Sequence, residues 1–347
     1  MASNRTDGGR VTLREVADVA GVHPGTASRA LNVETRPLVN EETAERVLRA
    51  ADELGYRPNP IARGLKTNRS YTVGVLIPDL MNPLFPPIVR GIQDRLEEAG
   101  YTPLIANTEN DPQRERIDFE RLRARQVDGF ITATARRADD LLTQVAAIGT
   151  PVVLVNRRLE QPVLPAVVGD DRAGMRLAID HLADLGHRRI AYLAGPQQVS
   201  TGYLRYEGFL EAMRDRGLEP DAESIRFGDA FTEAEGLRLC GELLDAATMP
   251  TAIAAGNDLV ALGCYDVFGE RGIRCPEEIS VVGFNDMPFA GRFDPPLTTI
   301  RLPHYEIGAR AAELLIELQG ETQAPPPQIQ LAPELVARSS TAPPQRA

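Results

Sequence analysis

The spacing of apolar positions changes character along the chain. Before residue 57 it has a helical period. Leu13, Val16, Ala17 and Ala20 fall at i, i+3, i+4 and i+7, one face of a helix. Thr12 followed by Glu15 makes a capping-box pattern at its start, and Gly21 ends it. A second helix opens near Pro24, a residue accepted at the first helical position, with Ala27, Ala30 and Leu31 inward. A third runs from about Glu41 to Leu54, capped by Asn40, with Ala44, Val47, Leu48 and Ala51 on one face and Gly55 after it. Helix, tight turn at glycine, second helix and supporting helix is a helix-turn-helix arrangement, with a generic three-helix bundle as the alternative. The small residues Ala17, Ala20 and Ala27 favour the first reading, because they let two helices cross closely.

Beyond Tyr71 short apolar runs alternate with amphipathic helical ones. The runs are Val73–Ile77, Thr102–Ala106, Gly129–Thr132, Val152–Val155, Ala166–Val168, Ile190–Leu193, Ala252–Ala255 and Ile279–Gly283. Helical stretches such as Ile88–Ala99 and Asp180–Leu185 lie between them. This alternation predicts parallel sheets covered by helices, and its length predicts two α/β lobes. No GxGxxG or GxxxxGK[ST] follows a strand, so a dinucleotide or nucleotide site lacks its phosphate cradle. Between the two regions stands Arg57-Pro58-Asn59-Pro60-Ile61-Ala62-Arg63-Gly64-Leu65-Lys66. Pro60 can open a helix there of under two turns, too short to be stable alone in water.

Ligands of open α/β sheets bind beyond the carboxyl ends of the strands. Those ends carry Asp79, Asn107, Asn156, Asp170, Asn257 with Asp258, and Asn285 with Asp286. Short amides and carboxylates suit hydroxyl groups. They also cap helices. Capping is the reading for Asp170, Asp171 and Asp286; ligand contact is the reading for Asn156, Asn257 and Asn285.

Composition narrows the class. The chain has 347 residues, 43% of them apolar, enough for two or three domains. No apolar run reaches the ~18–20 residues that span a bilayer, so no membrane association is expected. Met1–Arg10 is polar and lacks an apolar core, which predicts no signal peptide and a cytoplasmic protein. Three scattered cysteines, Cys240, Cys264 and Cys275, and four scattered histidines show no metal-ligand spacing, and no cofactor or metal is expected. The net charge of −11 is unevenly spread. Residues 1–70 carry 11 basic and 9 acidic residues, while the remainder carries 27 and 40. From Leu54 to Pro78 there is no acidic residue, and Arg57, Arg63, Lys66 and Arg69 make that stretch electropositive. A solvated linker is the bland alternative.

From about residue 10 to 340 the chain resembles the lactose/galactose-repressor (LacI) family of regulators. VTLREVADVAGVHPGTASRALN is similar to its headpiece and RPNPIARGLK to its hinge. VGVLIPDLMNPLF, HLADLGHRRIAYLAG, AIAAGNDLVALG, CPEEISVVGFND and LTTIRLP are similar to its core. The resemblance implies an all-α helix-turn-helix headpiece and a two-lobed, periplasmic-binding-protein-like α/β core. It places a disordered N-terminus at 1–9, the DNA-binding domain at 10–56 and the hinge at 57–70. The core spans 71–340, with one lobe at 71–170 and 301–328 and the other at 171–300 and 329–340. The tail from Ser339, and 341–347 in particular, is expected to be frayed, and Pro325-Pro326-Pro327 is expected where the chain crosses between lobes.

The resemblance further implies a non-enzymatic transcriptional repressor, a homodimer on a near-palindromic operator, controlled by a small-molecule effector. A sugar, sugar acid or sugar phosphate is the expected effector. A nucleobase or other metabolite, or an activating or global role, is the alternative. Implied DNA contacts are Thr12, His23, Pro24, Gly25, Thr26, Ser28, Arg29 and Asn32 in the headpiece. In the hinge they are Arg57, Asn59, Ala62, Arg63, Leu65 and Lys66, with Leu65 a wedge that kinks the minor groove. Implied effector contacts are Asp79, Asn82, Phe85, Asn156 and Arg157 on one lobe, and Thr201, Arg205, Phe231, Asn257 and Asn285 on the other. Core packing competes as a role for Phe85 and Phe231.

Two departures from the family's pattern matter. Its usual base-reading positions hold Pro24 and Gly25, which donate no side-chain hydrogen bond, so Gly25 is read as allowing close backbone approach. Asn156 and Asn285 stand where the family often has Asp. That removes negative charge near Arg157 and Arg205 and suggests an acidic effector. An enzyme with a two-domain α/β core is disfavoured, since Asp79 and Asp258 have no recognisable catalytic partners. A transport-type sugar-binding protein would have no use for residues 10–66.

Overall fold

The computed structural model describes residues 11–32, 35–57, 69–246, 249–318 and 325–345. The expected disordered N-terminus at 1–9, and Asn59, Ala62, Arg63, Leu65 and Lys66 of the hinge, lie outside the described residues. The chain forms two compact units, Met1–Tyr71 and Thr72–Ala347.

In the first unit, α1 spans Leu13–Ala20, α2 Pro24–Leu31 and α3 Glu41–Glu53. The capping box at α1 is complete: Thr12 Oγ1 accepts from Glu15 N, and the Thr12 N–H donates to Glu15 Oε2 at 2.7 Å. Gly21 then takes φ 64°, a left-handed conformation that closes the turn without a Cβ penalty. Val16, Ala17, Ala27, Ala30 and Val47 are completely buried, with Ala20, Ala44, Ala50 and Ala51 around them. A core this rich in alanine lets the helices approach closely, as the sequence pattern required. A single 3-10 turn at Arg36–Leu38 has no periodic signal. It matters because Arg36 Nε donates to Ala30 O and Thr35 Oγ1 to Arg29 O, which satisfies carbonyls at the end of α2.

The second unit has two six-stranded sheets. The first contains β1 (Thr72–Ile77), β2 (Thr102–Asn107), β3 (Gly129–Thr132), β4 (Val152–Val155), β5 (Ala166–Gly169) and β11 (Gln328–Leu331), in the order β11-β5-β4-β3-β1-β2. The second contains β6 (Ile190–Ala194), β7 (Ile225–Phe227), β8 (Ala252–Ala255), β9 (Ser280–Asn285), β10 (Thr298–Arg301) and β12 (Glu334–Val336), in the order β12-β10-β9-β8-β6-β7. All pairings are parallel except β10 with β12. Helices cover the sheets: α4 (Phe85–Glu98), α5 (Pro112–Ala124), α6 (Asp140–Ala147) and α11 (His304–Glu317) on the first, α7 (Asp171–Asp184), α8 (Ser200–Asp215), α9 (Glu233–Leu244) and α10 (Asp258–Arg271) on the second. Gly91 of α4 and Gly308 of α11 meet opposing helix backbone at Tyr305 O and Ile88 O, so only glycine fits at this crossing.

Strands β1 to β6, β8 and β9 match the apolar runs, while β10, buried at its first three residues, matches none because two of those residues are threonines. β7, β11 and β12 have no such run, because short, half-exposed strands at or near a sheet edge need no continuous apolar stretch.

The lobe boundaries shift slightly. Arg301 belongs to the second sheet and Gln328–Leu331 to the first, so the last crossing follows Leu331 rather than residue 328. Pro325-Pro326-Pro327 is therefore not the crossing. Pro327 O accepts from Ala166 N and leads straight into β11.

The tail is not frayed from Ser339. Ser340 is completely buried, with Oγ accepting from Thr298 N at 2.7 Å and donating to Val281 O at 2.6 Å. Thr341 Oγ1 meets His181 Nε2 at 2.9 Å, and His187 Nε2 meets Ala342 O at 2.9 Å. These polar anchors outweigh the small-residue, proline-rich composition on which fraying was expected.

Candidate functional site

The carboxyl ends of both sheets converge on one cavity of about 160 Å³. Every effector position expected from sequence lines it: Asp79, Asn82, Phe85, Asn156, Arg157, Thr201, Arg205, Phe231, Asn257 and Asn285. Several of the polar ones already have one oxygen engaged. Asp79 Oδ1 accepts from Met81 N at 2.9 Å, Asn82 Oδ1 from Leu84 N at 3.1 Å, and Asn257 Oδ1 caps α10 through Val260 N at 2.9 Å. Asn257 thus caps a helix as well as lining the cavity, where ligand contact alone was expected. Asn107 supports the same loop as Asp79, accepting from Leu80 N at 3.0 Å.

Arg205 is 2% exposed. Its Nε donates to Asp171 Oδ1 at 2.7 Å, Nη1 to Gly256 O at 2.7 Å and Nη2 to Asn285 Oδ1 at 3.3 Å. The guanidinium lies 3.8 Å from the Phe284 ring centre and 5.4 Å from that of Phe231. Two of its five N–H bonds remain for a ligand. Asp171 is therefore not simply a helix-terminal cap. It is the buried counter-ion of Arg205, and burial still pushes its carboxyl above the usual range despite that partner. Asp286 is likewise held by Arg301 at 2.7 Å and Arg338 at 2.6 Å. Asp170 does cap α7, accepting from Ala173 N at 3.0 Å.

Arg157 stands apart. Its Nε is buried without a hydrogen-bond partner, and among the described residues it makes no ion pair. Burial lowers its pKa to about 10, and the neighbouring Arg136 guanidinium pushes the same way. Asn156 before it sits at φ 64°, and Asn285 and Asp286 at φ 106° and 50°. Asparagine tolerates that backbone better than most residues, so both asparagines have a local reason to be where they are.

The loops add lining residues that the strand-end signal missed, Arg136, Gln198, Val199 and Asp229 among them. They stand further along their loops than the strand-terminal positions, where no periodicity marks them. Loops of the first lobe also contact Gln198 and the start of α8 in the second. Arg137 N donates to Gln198 O at 2.8 Å, its guanidinium covers the Tyr203 ring at 3.6 Å, and Arg158 N donates to Ser200 Oγ at 2.9 Å.

Asp258, considered above as a lone catalytic carboxylate, is completely buried. It accepts from Thr299 Oγ1 and Met287 N, both at 2.6 Å, and burial raises its pKa to about 7. It ties α10 to the loop after β9 and does not line the cavity. Among the described residues no group of His, Cys, Asp and Glu is arranged to hold a metal, and no helix is long and apolar enough to cross a membrane.

In the first unit, Thr12 is committed to its capping box. His23 caps α2 by accepting the Gly25 N–H at Nδ1, 3.1 Å. This use of Nδ1 puts the proton of the neutral ring on Nε2, a donor. It also changes the account of Gly25. Its N–H is already used, and a Cβ there would lie 3.2 Å from His23 Nδ1, so glycine serves the cap. Thr26 and Ser28 are half-buried on α2, Arg29 and Arg57 are exposed, and Asn32 ends the helix in extended conformation.

Residues 12–59 match the model of bacterial regulatory proteins of the lacI family, and residues 179–341 match that of a periplasmic binding protein-like domain. The chain is 34% identical to the HTH-type transcriptional repressor CytR of Escherichia coli K12, over 89% of this chain and 90% of CytR. It is 33% identical to the repressor PurR of Pasteurella multocida, over 95% of this chain and 98% of PurR. Its structure matches a lac repressor dimer bound to operator and the anti-inducer ONPF, with TM-score 0.85, 28% identity, and 96% and 100% of the two chains covered. The chain therefore belongs to the LacI family of bacterial regulatory proteins, and it is a DNA-binding transcriptional regulator with an effector-binding core, not an enzyme.

Proposed function

We propose that the protein is a homodimeric repressor of the cytoplasm, binding a near-palindromic operator under control of a small effector held between its lobes. The observation that carries this reading is the cavity built from the strand ends of both sheets, in a chain that also bears a helix-turn-helix. In this reading α2 enters the major groove, where Thr26, Ser28, Arg29 and Asn32 meet base edges and phosphates and His23 donates from Nε2. Arg57, Asn59, Ala62, Arg63 and Lys66 follow the minor groove, with Leu65 as the wedge. The effector changes the relative stability of two lobe arrangements, and so the spacing of two hinges on DNA.

Polar groups around the cavity suit a hydroxylated ligand, and Phe85 and Phe231 suit its apolar face. The test is a mobility shift on DNA upstream of the protein's own gene at two salt concentrations. Specific binding that weakens steeply with salt supports the reading. Binding indifferent to DNA sequence at both concentrations overturns it.

A further inference from the structure

We propose that the effector is a small polyol carrying an anionic oxygen group, and that Arg157 with Arg136 receives that group. This rests on the cavity being the effector site. The charged groups near Arg157 are Arg136, Arg205 and Glu115. Two of these are cations. Arg205 is already neutralised by Asp171. Glu115 is 2% exposed and is occupied twice, by a short hydrogen bond from the Thr134 hydroxyl and by Arg136 at 3.6 Å.

Arg157 thus lines the cavity with a buried, unsatisfied Nε–H and no ion pair of its own, and the single carboxylate of Glu115 is shared between its charge and that of Arg136. A buried cation without a partner is costly, and an arriving carboxylate or phosphate removes that cost. Arg205 keeps two N–H bonds for neutral hydroxyls, because Asp171 already balances its charge. The cation left in excess on the lining is therefore Arg157 and not Arg205, so an acidic group is drawn to Arg157 and hydroxyls to Arg205. The asparagines Asn156 and Asn285 have their own backbone reason and are not needed for the argument.

The shared chemistry is an anionic oxygen group, and matched ligands separate its sources. The full-length protein is titrated by thermal shift and calorimetry with glucose, gluconate and glucose-6-phosphate, galactose and galacturonate, and ribose and ribose-5-phosphate. Inorganic phosphate and sulfate are included against chloride at equal ionic strength. At least one acidic member should bind at least ~10-fold more tightly than its neutral parent. Gluconate or galacturonate leading identifies a carboxylate, and the phosphate esters leading identify a phosphate. Arg157→Gln should abolish the preference, and Arg157→Lys should retain part of it, which separates lost charge from lost folding. Neutral sugars binding more tightly than every acid overturns the proposal. So does an unaltered preference in Arg157→Gln, or no response to any acid or anion beyond that to chloride. Operator binding by the unliganded protein is scored separately, so this proposal can fail while the regulator reading stands.

Discussion

Arg205 and Asp171 form an ion pair at 2.7 Å with both side chains at most 2% exposed. The pair joins α8 to the start of α7, immediately after the chain first passes from one sheet to the other. Breaking a buried pair leaves one charge without compensation, at a cost of about 3–5 kcal/mol. Asp171→Asn should therefore destabilise the core by that order, read as a lower urea midpoint, and should leave the headpiece helices formed. A midpoint shift under ~1 kcal/mol would mean Arg205 finds another counter-ion.

Asp258 sets a pH dependence whose sign follows from burial. Its carboxyl titrates at about 7 in the folded protein and near its ordinary value, ~3.9, when unfolded. Between those values the folded state binds the extra proton, so stability falls as pH rises from 4 to 7. Its contribution is fully present below about pH 4 and lost above about pH 7. Urea unfolding at pH 5 and pH 8 should show a loss of a few kcal/mol from this group that shrinks in Asp258→Asn. An identical pH 5 to pH 8 difference in the variant would assign the dependence to other groups.

The C-terminal segment is anchored at Ser340, Thr341 and Ala342. Deleting residues 339–347 removes the buried Ser340 bridge between Thr298 and Val281 and the tail's contacts with His181 and His187. It should lower the melting temperature by several degrees, since loss of each buried hydrogen bond costs ~1 kcal/mol or more. Deleting only 344–347 should change it by about a degree or less. Equal effects of the two truncations would contradict the anchoring.

The hinge carries the chain's only lysine, Lys66, beside Leu65. If Leu65 wedges the minor groove, Leu65→Ala should weaken operator binding by at least ~10-fold while non-specific binding stays nearly constant. Lys66→Gln should instead flatten the dependence of log affinity on log salt by about one. Acylation of the single lysine amine offers a second readout, because operator should slow it. Unchanged operator affinity in Leu65→Ala would remove the hinge from the specificity account and leave the headpiece.

The Arg137 side chain links the two lobes by donating from Nη1 to Gln197 O at 3.4 Å and by covering the Tyr203 ring. Arg137→Ala should loosen that contact and enlarge the core by a small increase in radius of gyration, measured by solution scattering. No change would locate lobe closure elsewhere, at Arg158 and Ser200.

Local signals in the sequence determined the elements. Thr12 with Glu15, Gly21, Pro24 and Asn40 fix helix ends through their nearest neighbours, so they are readable within four residues. Apolar runs fix the central strands because both faces of a parallel strand are buried. Strand-end polar residues marked much of the cavity, since a strand's carboxyl end is itself a local feature. What only the tertiary structure decided is which charge meets which. Asp171 and Arg205 lie 34 residues apart, Ser340 and Val281 59, and no local pattern couples them. Arg136 and Arg137 look like surface residues until the fold brings one to the cavity and the other to the opposite lobe. The same holds for Arg157, whose meaning depends on making no ion pair while its nearest carboxylate, Glu115, is engaged by Arg136 and Thr134. Long-range pairing, and its absence, depends on three-dimensional distance and dielectric, which a one-dimensional pattern does not contain.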